Sequence, residues 1–122
     1  SEINYVPKNL MVKIPNDVDD IDASFVTVGA IALQGIRQCE PKLGEKIAVI
    51  GLGLLGQLSV QLLKANGCKV IGSDVDPDKI ALADSLGADE VCHARDLIKK
   101  ANEFTNGYGV DAVVITASTS SN

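Results

Sequence analysis

The stretch Lys46-Ile-Ala-Val-Ile-Gly-Leu-Gly-Leu-Leu-Gly56 decides how the chain is read. Four apolar residues, Ile47 to Ile50, run without polar interruption and stop at a glycine. Such a run suits a strand covered on both faces, as in a parallel sheet. From Leu54 to Asn66 the pattern predicts a helix, with Leu55, Leu58 and Leu62 on one face and Gly67 as its stop. Glycines at 51, 53 and 56 therefore fall on a strand-to-helix junction, and the spacing gives each a task. Gly51 permits the tight turn, Gly53 leaves the backbone open to an approaching anionic group, and Gly56 lets the helix pack closely.

Downstream the alternation continues. Lys69 to Ser73 reads as a second strand. Asp76-Pro77 opens a helix, with Asp as N-cap and Pro in the first helical position. Its inner face is Ile80, Ala83 and Leu86, and Gly87 ends it. Asp89 to Cys92 is a short third strand; Leu97, Ile98, Ala101 and Phe104 mark a third helix; Ala112 to Thr116 is a fourth strand. Strands alternating with helices imply right-handed crossovers and a parallel sheet. The expected fold is α/β, a Rossmann-type parallel sheet in strand order 3-2-1-4, truncated relative to the usual six or so strands, with an unpaired edge on strand four.

Upstream, Asp19 or Asp20 can cap a helix reaching about Gln38 with a possible break, its apolar surface made by Ala30, Ile31, Leu33 and Ile36. Residues 1–18 hold two prolines and no helical period, so they are expected to be a lead-in from a catalytic domain that is missing here. Residues 19–122 are then a partial nucleotide-binding domain.

Composition narrows the partners. The net charge is -5 and hydrophobic residues make up 46% of the chain. An acidic balance disfavours nucleic acid and anionic membranes, which reward clustered Lys and Arg. No apolar run approaches the roughly 18 residues of a membrane span. Cys39, Cys68 and Cys92 have no metal-ligand spacing and read as free thiols in a reducing cytoplasm. His93 reads as a surface or loop residue, and Ser118 to Ser121 as a polar loop without a nucleophile elbow.

Asp74 stands eighteen positions after Gly56, at the end of the second strand. An acid there can accept hydrogen bonds from the ribose hydroxyls of a dinucleotide whose pyrophosphate sits on the helix N-terminus. Asp76 is better placed to cap the next helix, which leaves Asp74 free for that task. A 2′-phosphate would be repelled by Asp74, and no Arg lies between Arg37 and Arg95 to receive one, so NAD(H) is favoured over NADP(H).

Gly44-Glu-Lys-Ile-Ala-Val-Ile-Gly-Leu-Gly-Leu-Leu-Gly56, preceded by Val28-Gly-Ala-Ile-Ala-Leu-Gln-Gly-Ile36, resembles the medium-chain dehydrogenase/reductase superfamily, the zinc-type alcohol dehydrogenase relatives. Gly109-Val-Asp-Ala-Val-Val114 is similar to that family's fourth strand. The resemblance implies an oxidoreductase that moves hydride between nicotinamide and a carbinol or carbonyl carbon. It assigns cofactor contacts to Gly51, Gly53, Leu54, Leu55, Gly56, Asp74, Lys79, Thr116 and Ala117. Leu55 would back the nicotinamide ring, with Val28 nearby, and Lys79 would lie along the adenosine ribose. The family's last catalytic zinc ligand falls on Ser24, a poor ligand, so no catalytic zinc is expected. No catalytic acid, base or metal ligand can be named, so the substrate is expected on a domain outside this chain and the 122 residues alone are expected to be inactive. The parent is expected to be a homo-oligomer.

Two other classes share part of the pattern. A regulatory NAD-sensing module also joins a Gly-rich turn to an Asp-x-Asp-Pro strand end, but the lead-in and the helix before the first strand stand against it. A methyltransferase uses a Gly-rich turn and a ribose-binding acid, but the Gly51-to-Gly56 spacing fits a dinucleotide better.

Overall fold

The computed structural model describes residues 3–118. Helices α1 (Asp20–Ser24) and α2 (Val26–Cys39) precede strand β1 (Lys46–Ile50), and α3 (Leu54–Ala65), β2 (Lys69–Asp74), α4 (Pro77–Ser85), β3 (Glu90–His93), α5 (Leu97–Phe104) and β4 (Ala112–Ile115) follow. Within these residues the four strands form one parallel sheet in the order β3-β2-β1-β4. The α/β class and the strand order are as the sequence predicts. No helix here is long and apolar enough to cross a membrane.

The strands form where the sequence is uniformly apolar because both faces are covered. Ile47 and Val49 point to one side, where they join Ile36 of α2, Val60 and Leu63 of α3, and Ala83 of α4. Ala48 and Ile71 point to the other, against Leu97, Ala101 and Phe104 of α5. Each of the fully buried aliphatic side chains contributes roughly 1.5–3 kcal/mol through removal from water. Central strands are fully covered, whereas on β4 Val113 and Ile115 stay exposed on the α5 side. β4 also stands last in the strand order with β1 as its one neighbour among the described residues, as the expected unpaired edge requires.

Several boundaries and faces differ from expectation. On α3 the buried positions are Gly56, Gln57, Ser59, Val60 and Leu63, not the Leu55, Leu58, Leu62 stripe. The helix is gripped by the sheet beneath it and by α2 beside it, so its covered arc is wide and centred one residue further on. On α2 only Ala32 and Ile36 are buried, while Ile31 and Leu33 face outward. The break before α2 falls at Phe25. β3 is displaced by one residue and β4 ends at Ile115, because pairing partners on β2 and β1 decide where a short strand starts and stops. Among the described residues of the lead-in there is one 3-10 turn, at Lys8–Leu10, and no buried residue.

Local capping agrees with the sequence. Asp19 accepts the Ile21 N–H at 2.7 Å, and Asp76 accepts the Asp78 N–H at 3.0 Å with Pro77 in the first helical turn. Cys68 and Cys92 are buried and Cys39 is half-buried, all as free thiols; burial raises the pKa of Cys39 and Cys92.

One carboxylate ties together the end of the sheet opposite the glycine turn. Asp89 accepts hydrogen bonds from Lys64 Nζ (2.6 Å), Lys69 Nζ (3.1 Å) and the Val70 N–H (2.7 Å). It thereby joins the end of α3, the start of β2 and the approach to β3. Burial pushes its pKa up, but the bonds from Lys64, Val70 and Lys69 outweigh that and hold it below the ordinary carboxylate value. A depressed folded-state pKa contributes stability above about pH 4, the unfolded value, and that contribution is lost as pH falls through the folded value. Melting temperature followed from pH 5 to about pH 2 is expected to fall, and Asp89→Asn is expected to lie lower at pH 5 and to change less steeply.

Candidate functional site

The glycine turn lies at the carboxyl ends of the strands, where the chain leaves β1 and enters α3. Gly51 adopts φ +92, a left-handed conformation that suits glycine. A methyl group there would also meet the Ala117 nitrogen at 2.5 Å. At Gly56 a methyl would run into the carbonyl oxygen of Gly51, so the first turn of α3 sits directly on the turn below it. Gly53 differs from both. Its backbone is extended and nothing lies within 4 Å of where a Cβ would be. Two of the glycines are demanded by the protein's own packing, and the middle one leaves space that protein does not fill.

Gly53 is also the N-cap of α3 and offers no side chain to the helix. The first-turn N–H groups of a helix have no acceptor within it, and together with the helix dipole they favour an anion. α1 and α4 answer the same need with aspartates, whereas α3 presents a bare N-terminus.

That N-terminus opens onto a cleft of about 350 Å³. Gly51, Gly53, Asp74, Lys79, Thr116 and Ala117 all line it, so six of the nine residues assigned from the sequence come together. The other three do not. Gly56 is buried beneath the turn, Leu55 is half-buried and Leu54 faces outward, none of them on the cleft wall. Val28 is also off the wall. The remaining lining is Ile50, Ser73, Val75, Ala94 and Ser118, which sequence reasoning missed. Their common signal is position: each stands at or just beyond the carboxyl end of a strand. A larger groove of about 560 Å³ lies between the ends of α2 and α3 remote from the turn, lined by Leu33, Ile36, Leu62 and neighbours. It gathers no set of reactive side chains, and the glycine cleft is the better candidate on chemistry.

Asp74 is not free, contrary to the sequence expectation. Its Oδ2 accepts the Leu52 N–H at 2.6 Å, and its Oδ1 accepts the N–H groups of Val75 (2.7 Å) and Asp76 (2.9 Å). Asp76 does cap α4, but β2 ends in a turn whose own N–H groups reach back to Asp74. Burial raises the Asp74 pKa, and the bonds from Leu52, Asp76 and Val75 with the charge of Lys79 more than reverse it. Asp74 is therefore a stable anion on the cleft wall. A carboxylate has about four acceptor positions, so roughly one remains, on Oδ2. Lys79 is exposed and lies 3.5 Å from Asp76 Oδ2.

Thr116 also works on the turn. Its Oγ1 donates to the Gly51 carbonyl at 2.6 Å, and the Thr116 and Ala117 N–H groups both reach the Ile50 carbonyl. Other sequence candidates lie elsewhere. Ser24 is exposed and its hydroxyl donates to the Ile21 carbonyl at 2.6 Å. His93 closes β3, and its Nδ1 accepts the Arg95 N–H at 3.2 Å. Thr119, Ser120 and Ser121 lie outside the described residues. Within the described residues no group of three or more His, Cys, Asp or Glu side chains could hold a metal.

The sequence profile of the zinc-binding dehydrogenases matches residues 55–122, more than half of the chain. The chain belongs to the zinc-binding dehydrogenase family. An alcohol dehydrogenase from Rhizobium meliloti is 39% identical over 87 residues, which is 70% of this chain and 26% of that protein. Among solved structures, an Escherichia coli oxidoreductase/dehydrogenase of unknown specificity superposes with a TM-score of 0.86 at 29% identity, over 92% of this chain and 33% of that one. The Thermus thermophilus quinone oxidoreductase, also solved in complex with NADPH, gives a TM-score of 0.77 at 28% identity, over 88% of this chain and 36% of that one. The chain thus spans 26% to 36% of the length of these relatives.

The glycines separate two effects. Gly56→Ala forces overlap with the Gly51 carbonyl and is expected to lower stability by about 2 kcal/mol or more in chemical denaturation. Gly53→Ala meets open space and loses only the N-cap preference for Gly over Ala, so it is expected to lower stability by about 1 kcal/mol or less, below Gly56→Ala.

Proposed function

We propose that this chain binds NAD(H) and is the cofactor-holding portion of an alcohol or polyol dehydrogenase-like oxidoreductase. One observation carries the reading: an anionic carboxylate and an uncapped helix N-terminus with open space at Gly53 face the same cleft. A pyrophosphate suits the bare N–H groups of α3, and a ribose hydroxyl suits the remaining acceptor position of Asp74. Lys79, on the same wall, is available as a donor to the neighbouring hydroxyl. The apolar lining from Ile50, Val75 and Ala117 offers a surface for a flat ring.

The dinucleotide, when bound, supplies the hydride chemistry, moving two electrons and a proton between its nicotinamide carbon and a carbinol or carbonyl carbon. This chain's residues bind and orient it. Among the described residues of the cleft wall no acid, base or nucleophile is suited to act on a substrate, and on this proposal the chain binds cofactor without turnover of its own. That the relatives named above are dehydrogenases and oxidoreductases supports this reading over a regulatory NAD sensor.

The preference for NAD(H) rests on Asp74. A relative solved with NADPH carries the same fold, so discrimination has to arise in the cleft itself. The anionic carboxylate repels a 2′-phosphate, and Lys79 is the single basic residue on the described cleft wall to set against that repulsion. In a fluorescence titration NADH is expected to bind at least about tenfold more tightly than NADPH, a difference of about 1.4 kcal/mol. Asp74→Asn is expected to shrink that ratio to about threefold or less by removing the charge. Failure of the wild type to bind either cofactor at millimolar concentration would overturn the proposal.

A further inference from the structure

Leu52, between the first two glycines, has both of its backbone polar groups held by side chains from other elements. Asp74 takes its N–H, and Gln57 Nε2 donates to its carbonyl at 3.0 Å. The same Nε2 donates at 2.8 Å to the carbonyl of Lys79, in the first turn of α4. Both acceptors are carbonyls, which dictates the orientation of the amide: only its nitrogen can serve them. Gln57 itself is 6% exposed, on the first turn of α3 beside Gly56.

This amide is the bridge between two halves of the cleft. On one side is the turn with its bare N–H groups; on the other is α4, which carries Lys79 and abuts Asp74. The cost of the arrangement is visible, because Gln57 Oε1 is buried with no protein partner. A buried acceptor left unpaired destabilises a fold, and an apolar side chain of similar volume would avoid that. Stability alone is therefore a poor account of a glutamine here, whereas a fixed separation between turn and α4 accounts for both of its bonds.

We propose that Gln57 is a positioning residue for the dinucleotide, setting the distance between the pyrophosphate-binding turn and the ribose-binding side of the cleft. The inference rests on the dinucleotide reading above. It makes a distinction by ligand size. A ligand that spans turn and α4, such as ADP-ribose or NADH, depends on the bridge; adenosine alone, which lacks phosphates for the turn, does not.

The test is calorimetric titration of the intact polypeptide and its Gln57→Met variant with NADH, ADP-ribose and adenosine. Loss of two hydrogen bonds is expected to raise the Kd for NADH and ADP-ribose about tenfold and to change that for adenosine less than about twofold. A folded variant with unchanged Kd for ADP-ribose, or with equal losses for adenosine and ADP-ribose, would overturn the inference. If Gln57→Met does not fold, Gln57→Leu, uncharged and unable to donate, carries the same comparison. A readout on the wild type needs no variant: the Gln57 side-chain amide resonances are expected to shift with ADP-ribose and not with adenosine. Equal response to both, or to neither, also overturns it. Wild-type protein that binds neither NADH nor NADPH would instead sink the dinucleotide reading, and this inference with it.

Discussion

The hydrogen bond from the Leu52 N–H to Asp74 Oδ2, 2.6 Å long, joins the ends of two adjacent strands across the mouth of the cleft. Parallel pairing of β1 with β2 brings Ile50 opposite Ser73, so the residues that follow them are forced into contact. What they do there depends on chemistry. A carboxylate accepting three backbone N–H groups is held anionic and nearly immobile, and the turn it grips cannot drift. Thr116 grips the same turn from the opposite side through the Gly51 carbonyl, and Gly56 supports it from below.

The consequence is a binding surface made mostly of backbone. A protein of net charge -5 is a poor match for phosphates if attraction is left to surface lysines. A rigid turn whose N–H groups share one direction solves that without positive side chains, because partial charges that are already oriented need no reorganisation when the anion arrives. In the function proposed above, the acidic residue beside it would tolerate a hydroxyl and oppose a further phosphate. Membership of the zinc-binding dehydrogenase family agrees with the proposal that this cleft takes a dinucleotide.

The two ends of the sheet are built by the same device and serve different purposes. At one end Asp89 gathers two lysines and a backbone N–H and closes the fold. At the other Asp74 gathers backbone N–H groups alone and keeps one acceptor position in reserve. Each carboxylate accepts three bonds, but Asp89 lies away from the cleft whereas Asp74 lines it. Backbone groups hold it in place while leaving it able to meet a ligand.

Local and short-range features were determined by the sequence itself. The apolar run Ile47 to Ile50, the glycine spacing, the Asp76-Pro77 helix start and the alternation of elements are legible because they depend on backbone preference and periodicity within about 20 residues. They were enough for the α/β class, the strand order, and Gly51, Gly53 and Asp74 on the cleft wall; Lys79, Thr116 and Ala117 were implied by the family resemblance. Tertiary structure alone decided the rest. That Asp74 takes the Leu52 N–H, that Thr116 braces Gly51, and that Gln57 reaches Lys79 are relations between residues 22 to 65 positions apart. The covered face of α3 also moved, because a helix is buried by whatever packs on it and not by its most apolar stripe. Hydrogen-bond partners are chosen by three-dimensional proximity, and no pattern along the chain encodes a distance that only the closed sheet creates.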